Sequence, residues 1–306
     1  MAGIALLGCG KWGRLILRDL VGLGARVHVI APTAETRQFA IGAGAASAHA
    51  DCSTLPETPD GFVVATPTNL HAESIESVLG FDRPIFVEKA LAPSVTDARR
   101  LVDIAADRIF VMDKWRYHPG VEMLRDQARS GALGRILAIR SWRLGWGCSH
   151  TDVDPVWILL PHDLAIAYEI LGALPAASAA FTSVPGHPGS GLIAILADGD
   201  DQPRIVAELS TNSPANRRAV HVIGTEGVAT LDGSYADHIV VGKSGVGQGA
   251  NDPERIPISG AMPLERELSA FLGYLSGGPP PRSSAAEGLL VVERVAALRR
   301  LAGLPE

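Results

Sequence analysis

The chain has 306 residues, 47% of them apolar and 20% charged, with a net charge of −6. That length allows two ordinary domains, each with its own core. The acidic balance excludes nucleic acid as the expected partner, because a phosphate backbone wants a basic stripe. No apolar run is long enough to span a bilayer, and no basic, apolar leader precedes the first strand, so neither a membrane nor export is expected. Cys9, Cys52 and Cys148 are odd in number and far apart, which suggests no disulfide framework and a cytoplasmic setting.

Ile4–Leu7 reads as a first strand, followed at once by Gly8-Cys9-Gly10-Lys11-Trp12-Gly13 and a helix whose apolar face is Leu15, Ile16, Leu20 and Val21. Arg26–Ile30 is a second strand, Thr33–Ile41 a short helix, Ala46–Ala50 a weak strand and Phe62–Ala65 a buried fourth. A helix over Asn69–Leu79, a strand at Ile85–Glu88, a helix over Val95–Ala106 and a sixth strand at Ile109–Met112 follow. Strands and helices alternating with short joins predict an α/β, doubly wound Rossmann-type parallel sheet over residues 1–116.

From 117 to 306 the rhythm changes. Helices are expected over Val121–Arg129, Trp157–Leu171, Pro263–Leu275 and Ser284–Leu301, the last opened by a Ser-Ala-Ala-Glu capping box. Strands at Ile136–Leu144, Ala177–Val184, Leu192–Ala197, Arg204–Leu209, Ala219–Ile223, Val228–Leu231 and Ile239–Val241 run without helices between most of them. This predicts a second, α+β domain on a mostly antiparallel open sheet, suited to substrate binding and dimerisation; the last helix can return to pack on the first domain.

Four segments bear chemistry. A glycine loop between strand and helix places bare N–H groups and a positive dipole end where a pyrophosphate binds. Thr66-Pro67-Thr68 and His71 follow the fourth strand, Glu88-Lys89 ends the fifth, and Pro161-His162-Asp163 lies within a helix of the second domain. Ligands of doubly wound sheets sit beyond the carboxyl ends of the strands, so the first three segments should share one crevice, with the second domain closing over it.

This set, in this order and spacing, resembles the glucose–fructose oxidoreductase / inositol dehydrogenase family, Gfo/Idh/MocA. The resemblance extends to Thr225-Glu226-Gly227 and to the Ser284–Gly288 helix start. It implies a nicotinamide-dependent dehydrogenase acting on a secondary alcohol or ketone of a sugar-like or nucleotide-sugar-like substrate. Gly8, Gly10, Lys11, Trp12, Gly13, Ala31, Thr33, Thr66, Pro67, Thr68, His71, Glu88 and Lys89 are the expected cofactor residues. Trp12 suits packing and cofactor contact equally, and His71 a structural role as well as a ligand contact. The resemblance further implies that Lys89 stabilises alkoxide charge near the nicotinamide and that His162 shuttles the proton. Lys114, Arg116, Tyr117, Arg143, Trp146, Trp157 and Asp163 are candidate substrate contacts.

The chain departs from the family pattern at two informative places. Ile158 stands one helical turn before His162, where many members carry an aspartate, with Asp154, Asp163 and Tyr168 as conceivable substitutes. That leaves open a dinucleotide-binding sensor or subunit without turnover, or a reductase of imines or double bonds. The second strand runs into Ala31-Pro32-Thr33 with no acid to hold a ribose diol, so NAD or NADP is admitted, with a lean to NADP. No metal is expected; the alternating Cys148, His150 and Asp152 lack the paired, turn-spaced pattern of zinc sites. A homodimer or homotetramer through the second-domain sheet is expected.

Overall fold

The computed structural model describes residues 1–147, 152–185, 187–243 and 252–305. They fall into two compact units, Met1–Lys114 with Ala261–Val292, and Trp115–Gly260 with Glu293–Glu306.

In the first unit β1 (Gly3–Leu7), α1 (Lys11–Gly22), β2 (Arg26–Ile30), α2 (Ala34–Gly42), β3 (Ser47–His49), β4 (Gly61–Val64), α3 (His71–Glu76), β5 (Ile85–Glu88), α4 (Val95–Ala105) and β6 (Ile109–Met112) alternate. The six strands are parallel, in the order β3-β2-β1-β4-β5-β6. Covered on both faces, they read as unbroken apolar runs, and Ile4–Leu6, Phe62–Val64 and Ile85–Val87 are fully buried. The strand order reverses between β1 and β4, so the loops leaving these two strands flank the position where such sheets take their ligands.

The second unit contains α5 (Pro119–Arg129), β7 (Ile136–Trp146), α6 (Pro155–Leu171), β8 (Ala177–Thr182), β9 (Gly191–Leu196), β10 (Arg204–Ser210), β11 (Asn212–Gly224), β12 (Gly227–Asp232), β13 (His238–Lys243) and β14 (Glu254–Pro257). Among the described residues its eight strands run β14-β13-β12-β11-β7-β10-β9-β8, all antiparallel except the β7–β10 pair. Helices α5 and α6 pack on one face of the sheet. The opposite face presents Ile193, Ile195, Phe181 and Trp146, the last two 61% and 76% exposed.

Two helices complete the chain. α7 (Pro263–Leu275) belongs to the first unit, where Leu264, Leu268 and Phe271 enter its core and Phe271 stacks on Phe86 at 4.9 Å. α8 (Ala285–Leu301) opens with the anticipated box: the Ser284 N–H donates to Glu287 Oε2 at 2.7 Å, and the Glu287 N–H to Ser284 Oγ at 3.2 Å. Among the described residues no helix is long and apolar enough to cross a membrane.

Three elements differ from expectation for identifiable reasons. The helix expected over Asn69–Leu79 is only the six-residue α3 between two 3₁₀ turns. The Ser77 hydroxyl donates back to the Ser74 carbonyl, a local bond that competes with helix propagation. β11 begins seven residues earlier than its alternating pattern, because a register shift between Asn212 and Arg217 absorbs Pro214 and lets Asn212 pair with Trp146. β14 was not anticipated. Two of its four residues, Glu254 and Arg255, are charged, and all four are half-exposed or exposed, as an edge strand permits.

Candidate active site

Contact forces two of the loop glycines. Gly8 leaves β1 at φ 88°, and a Cβ there would lie 2.5 Å from the Ala65 carbonyl oxygen. A Cβ on Gly13, in the first turn of α1, would lie 2.4 Å from the Gly8 carbonyl oxygen. Both distances are far inside van der Waals contact, so the loop closes tightly against the end of β4. Gly10 is different: a Cβ there would meet nothing within 4 Å. It caps α1 without a side chain, and no acid occupies the first turn. The open N-terminus therefore presents backbone N–H groups and a positive dipole end to that space, which fits a pyrophosphate.

Ala31 follows β2, buried, with its N–H on the His49 carbonyl at 2.9 Å. Thr33 caps α2, its hydroxyl accepting from the Thr36 N–H and donating to the Thr36 hydroxyl at 2.8 Å. Arg37 donates to the carbonyls of Ala31 and Pro32 at 2.8 and 2.7 Å, which holds a cation over the loop in which an NAD-specific site would place an acid.

The loops after β4 and β5 are tied together by His71. One of its ring nitrogens faces the Ala90 carbonyl at 2.7 Å, the other the Thr66 carbonyl at 3.1 Å, and the ring is buried. This gives His71 a scaffolding job between the two loops. Thr66 shares a hydroxyl bond with Ser74 at 3.0 Å, Pro67 is exposed and Thr68 is buried. The Lys89–Ala90 peptide is cis.

Glu88 receives the Trp12 indole N–H and, at 3.3 Å, the Lys89 backbone N–H. Lys114 Nζ sits 4.2 Å from the Trp12 ring centroid, a cation–π contact. Trp12 thus packs and orients at once, joining the glycine loop to the end of β5. Burial pushes the Glu88 carboxyl up, while Lys89, the Trp12 bond and Lys114 oppose the rise. Sequence reasoning missed two neighbours, Asp113 and the fully buried Glu267 of α7. The signal was available: Glu267 lies three residues after Leu264 and four before Phe271, a charge on an otherwise apolar stripe.

In the second unit His162 follows Pro161 in the middle of α6 and is half-buried, whereas Ile158 is buried. The conceivable substitutes for the missing aspartate have other work. Asp163 pairs with Arg143 through two bonds of 3.0 and 3.3 Å, both side chains buried. Asp154 caps α6 and pairs with Arg299, and Tyr168 lies under the Arg116 guanidinium. Several residues read as substrate contacts are likewise engaged in packing. Arg116 pairs with Glu169 at 2.9 Å, as does Arg125 at 2.7 Å. Tyr117 is buried, and Trp157 is buried beneath Arg299. Trp146 lies exposed on the open sheet face. Cys148 and His150 lie outside the described residues.

Residues 2–111 match the family model described as an oxidoreductase family with an NAD-binding Rossmann fold. The rhizopine catabolism protein MocA of Rhizobium meliloti is 29% identical over 147 residues, 44% of this chain and 45% of that protein. Inositol 2-dehydrogenase of Renibacterium salmoninarum is 27% identical over 146 residues, 44% of each. The chain thus spans under half the length of these curated relatives. A levoglucosan dehydrogenase solved with NADH superposes with a TM-score of 0.85 over 99% of this chain and 97% of that one; at 19% identity this likeness shows the fold.

Proposed function

We propose, from the match of residues 2–111 to the Gfo/Idh/MocA oxidoreductase family model, that this protein is an NAD(P)-dependent dehydrogenase or reductase of a secondary alcohol or ketone on a sugar-like or nucleotide-sugar-like substrate. The open N-terminus of α1 carries the reading, since its glycine cradle and bare first turn suit a dinucleotide phosphate. Gly8, Gly10, Lys11, Trp12 and Gly13 would hold the pyrophosphate side, Ala31 and Thr33 the adenosine side, and Thr66–Thr68 with Glu88 and Lys89 the remainder. The bound nicotinamide would supply the hydride acceptor or donor.

Lys89 supplies a fixed cation for the negative charge that develops on the substrate oxygen. His162 takes the hydroxyl proton during oxidation and returns it during reduction, a task suited to imidazole near neutral pH. Glu88 orients Lys89 through its backbone N–H. Arg37 and the acid-free loop after β2 support NADP over NAD. The open sheet face supports a homodimer or homotetramer.

Hydride transfer tests the reading: nicotinamide absorbance is followed with sugars, cyclitols and their keto forms, with NAD(H) and NADP(H). Turnover with a member of this panel is expected. Buried Ile158 favours a second reading, a dinucleotide-binding sensor or subunit without turnover. Saturable binding with no hydride transfer to alcohols, ketones or imines would select it; turnover on imines or double bonds alone would mark a reductase of those bonds.

A further inference from the structure

Glu267 has no exposed surface, and neither of its carboxyl oxygens has a hydrogen-bond partner. An ionised carboxylate in that position loses its hydration and receives no donor in return, and buried groups in that situation stay protonated. Among the described residues, the charged groups that act on it come from two strand ends: Glu88 from β5, and Asp113 and Lys114 just after β6. Trp12 of α1, uncharged, links the others, with its indole under the Lys114 ammonium and its N–H on Glu88. By residue type, the acids Glu88 and Asp113 balance Lys89 and Lys114 only while Glu267 is neutral.

We propose that Glu267, held as the neutral acid, is a positioning residue that keeps the Glu88 and Lys114 charges in balance and, through Glu88, sets the field at Lys89. The part played at Lys89 rests on the dehydrogenase reading; the neutral acid and its reach to Lys114 do not. Burial drives the Glu267 carboxyl well above the usual carboxylate range, Glu88 and Asp113 push it the same way, and Lys114 opposes them.

The sequence holds four lysines, Lys11, Lys89, Lys114 and Lys243, few enough to follow one by one. Reductive ¹³C-methylation labels each without removing its charge. In the intact, cofactor-free protein, the Lys114 signal should show a second inflection as Glu267 ionises. Glu267→Gln should abolish that inflection and shift the Lys114 midpoint down, because a negative neighbour is gone. Superimposable Lys89 and Lys114 titrations in wild type and Glu267→Gln would overturn the proposal.

Thermal unfolding reads the neutral acid separately. A carboxyl that binds a proton more tightly when folded contributes stability below its unfolded pKa and loses it as pH rises towards the folded one. Glu267→Gln should therefore gain steadily on wild type as the pH rises above the ordinary glutamate range; a constant gap would contradict a neutral Glu267. With a turned-over substrate, the alkaline fall in kcat that follows loss of the Lys89 charge should move to lower pH in Glu267→Gln, as the Lys114 midpoint does, with KM for the dinucleotide unchanged. An unmoved pH profile would overturn the effect on Lys89, whereas absence of turnover counts against the dehydrogenase reading and leaves the lysine titration to decide the rest.

Discussion

At the residue scale the account rests on Lys89 and the glycine cradle. Lys89→Ala removes a fixed charge from the reacting oxygen and should lower kcat by about 10²–10³-fold, with dinucleotide affinity little changed; steady-state kinetics beside a binding titration checks this, and retained kcat would remove Lys89 from the mechanism. Gly13→Ala should instead abolish dinucleotide binding while the protein still folds, because the new methyl meets the Gly8 carbonyl oxygen at 2.4 Å and the loop must open. Binding by a folded Gly13→Ala protein would show that the cradle is not needed. Both residues stand out in the sequence because glycine spacing and a lysine at a strand end are local patterns; of the two, the structure bears on the glycine, whose tight contact with Gly8 it shows. The duties of Asp163, Arg143 and Arg116 were not legible. A charged residue looks the same in sequence whether or not it has a buried partner, and the Arg143–Asp163 and Arg116–Glu169 pairings emerge only from the fold.

At the scale of elements, the parallel sheet followed from apolar runs alternating with helices, and strand ends fell within a residue or two of expectation. Elements set by pairing instead of pattern escaped: β14 exists because β13 offers an edge, and the early part of β11 because β7 extends to Trp146. α7 was expected as a helix, but its address was not readable, since Phe86 lies 185 residues before Phe271 in the chain, the stack that seats the helix in the first unit. Phe271→Ala should destabilise that unit by about 3–5 kcal/mol, measured by denaturant unfolding. A cost under about 1 kcal/mol would mean that α7 is not integral to this core. In the second unit, Arg143→Ala leaves a buried Asp163 carboxylate without its partner. It should cost about 3–5 kcal/mol, whereas a neutral outcome would show that solvent reaches the pair.

At the scale of the whole molecule, length and alternation were enough to anticipate a parallel sheet and a mostly antiparallel one. Composition could not reveal that residues 261–292 return to the first unit, because that assignment depends on long-range packing. The open face bearing Trp146 and Phe181 supports self-association; light scattering should report a dimer or tetramer, and Trp146→Glu should shift it towards monomer. A wild-type monomer at all working concentrations would remove that proposal. The central claim is that the first unit is built to hold a nicotinamide dinucleotide. Its most direct test is a fluorescence titration of the purified protein with NADH and with NADPH. Saturable binding of at least one is predicted, tighter for NADPH and with that preference reduced by about tenfold in Arg37→Ala; no binding of either dinucleotide would contradict the account.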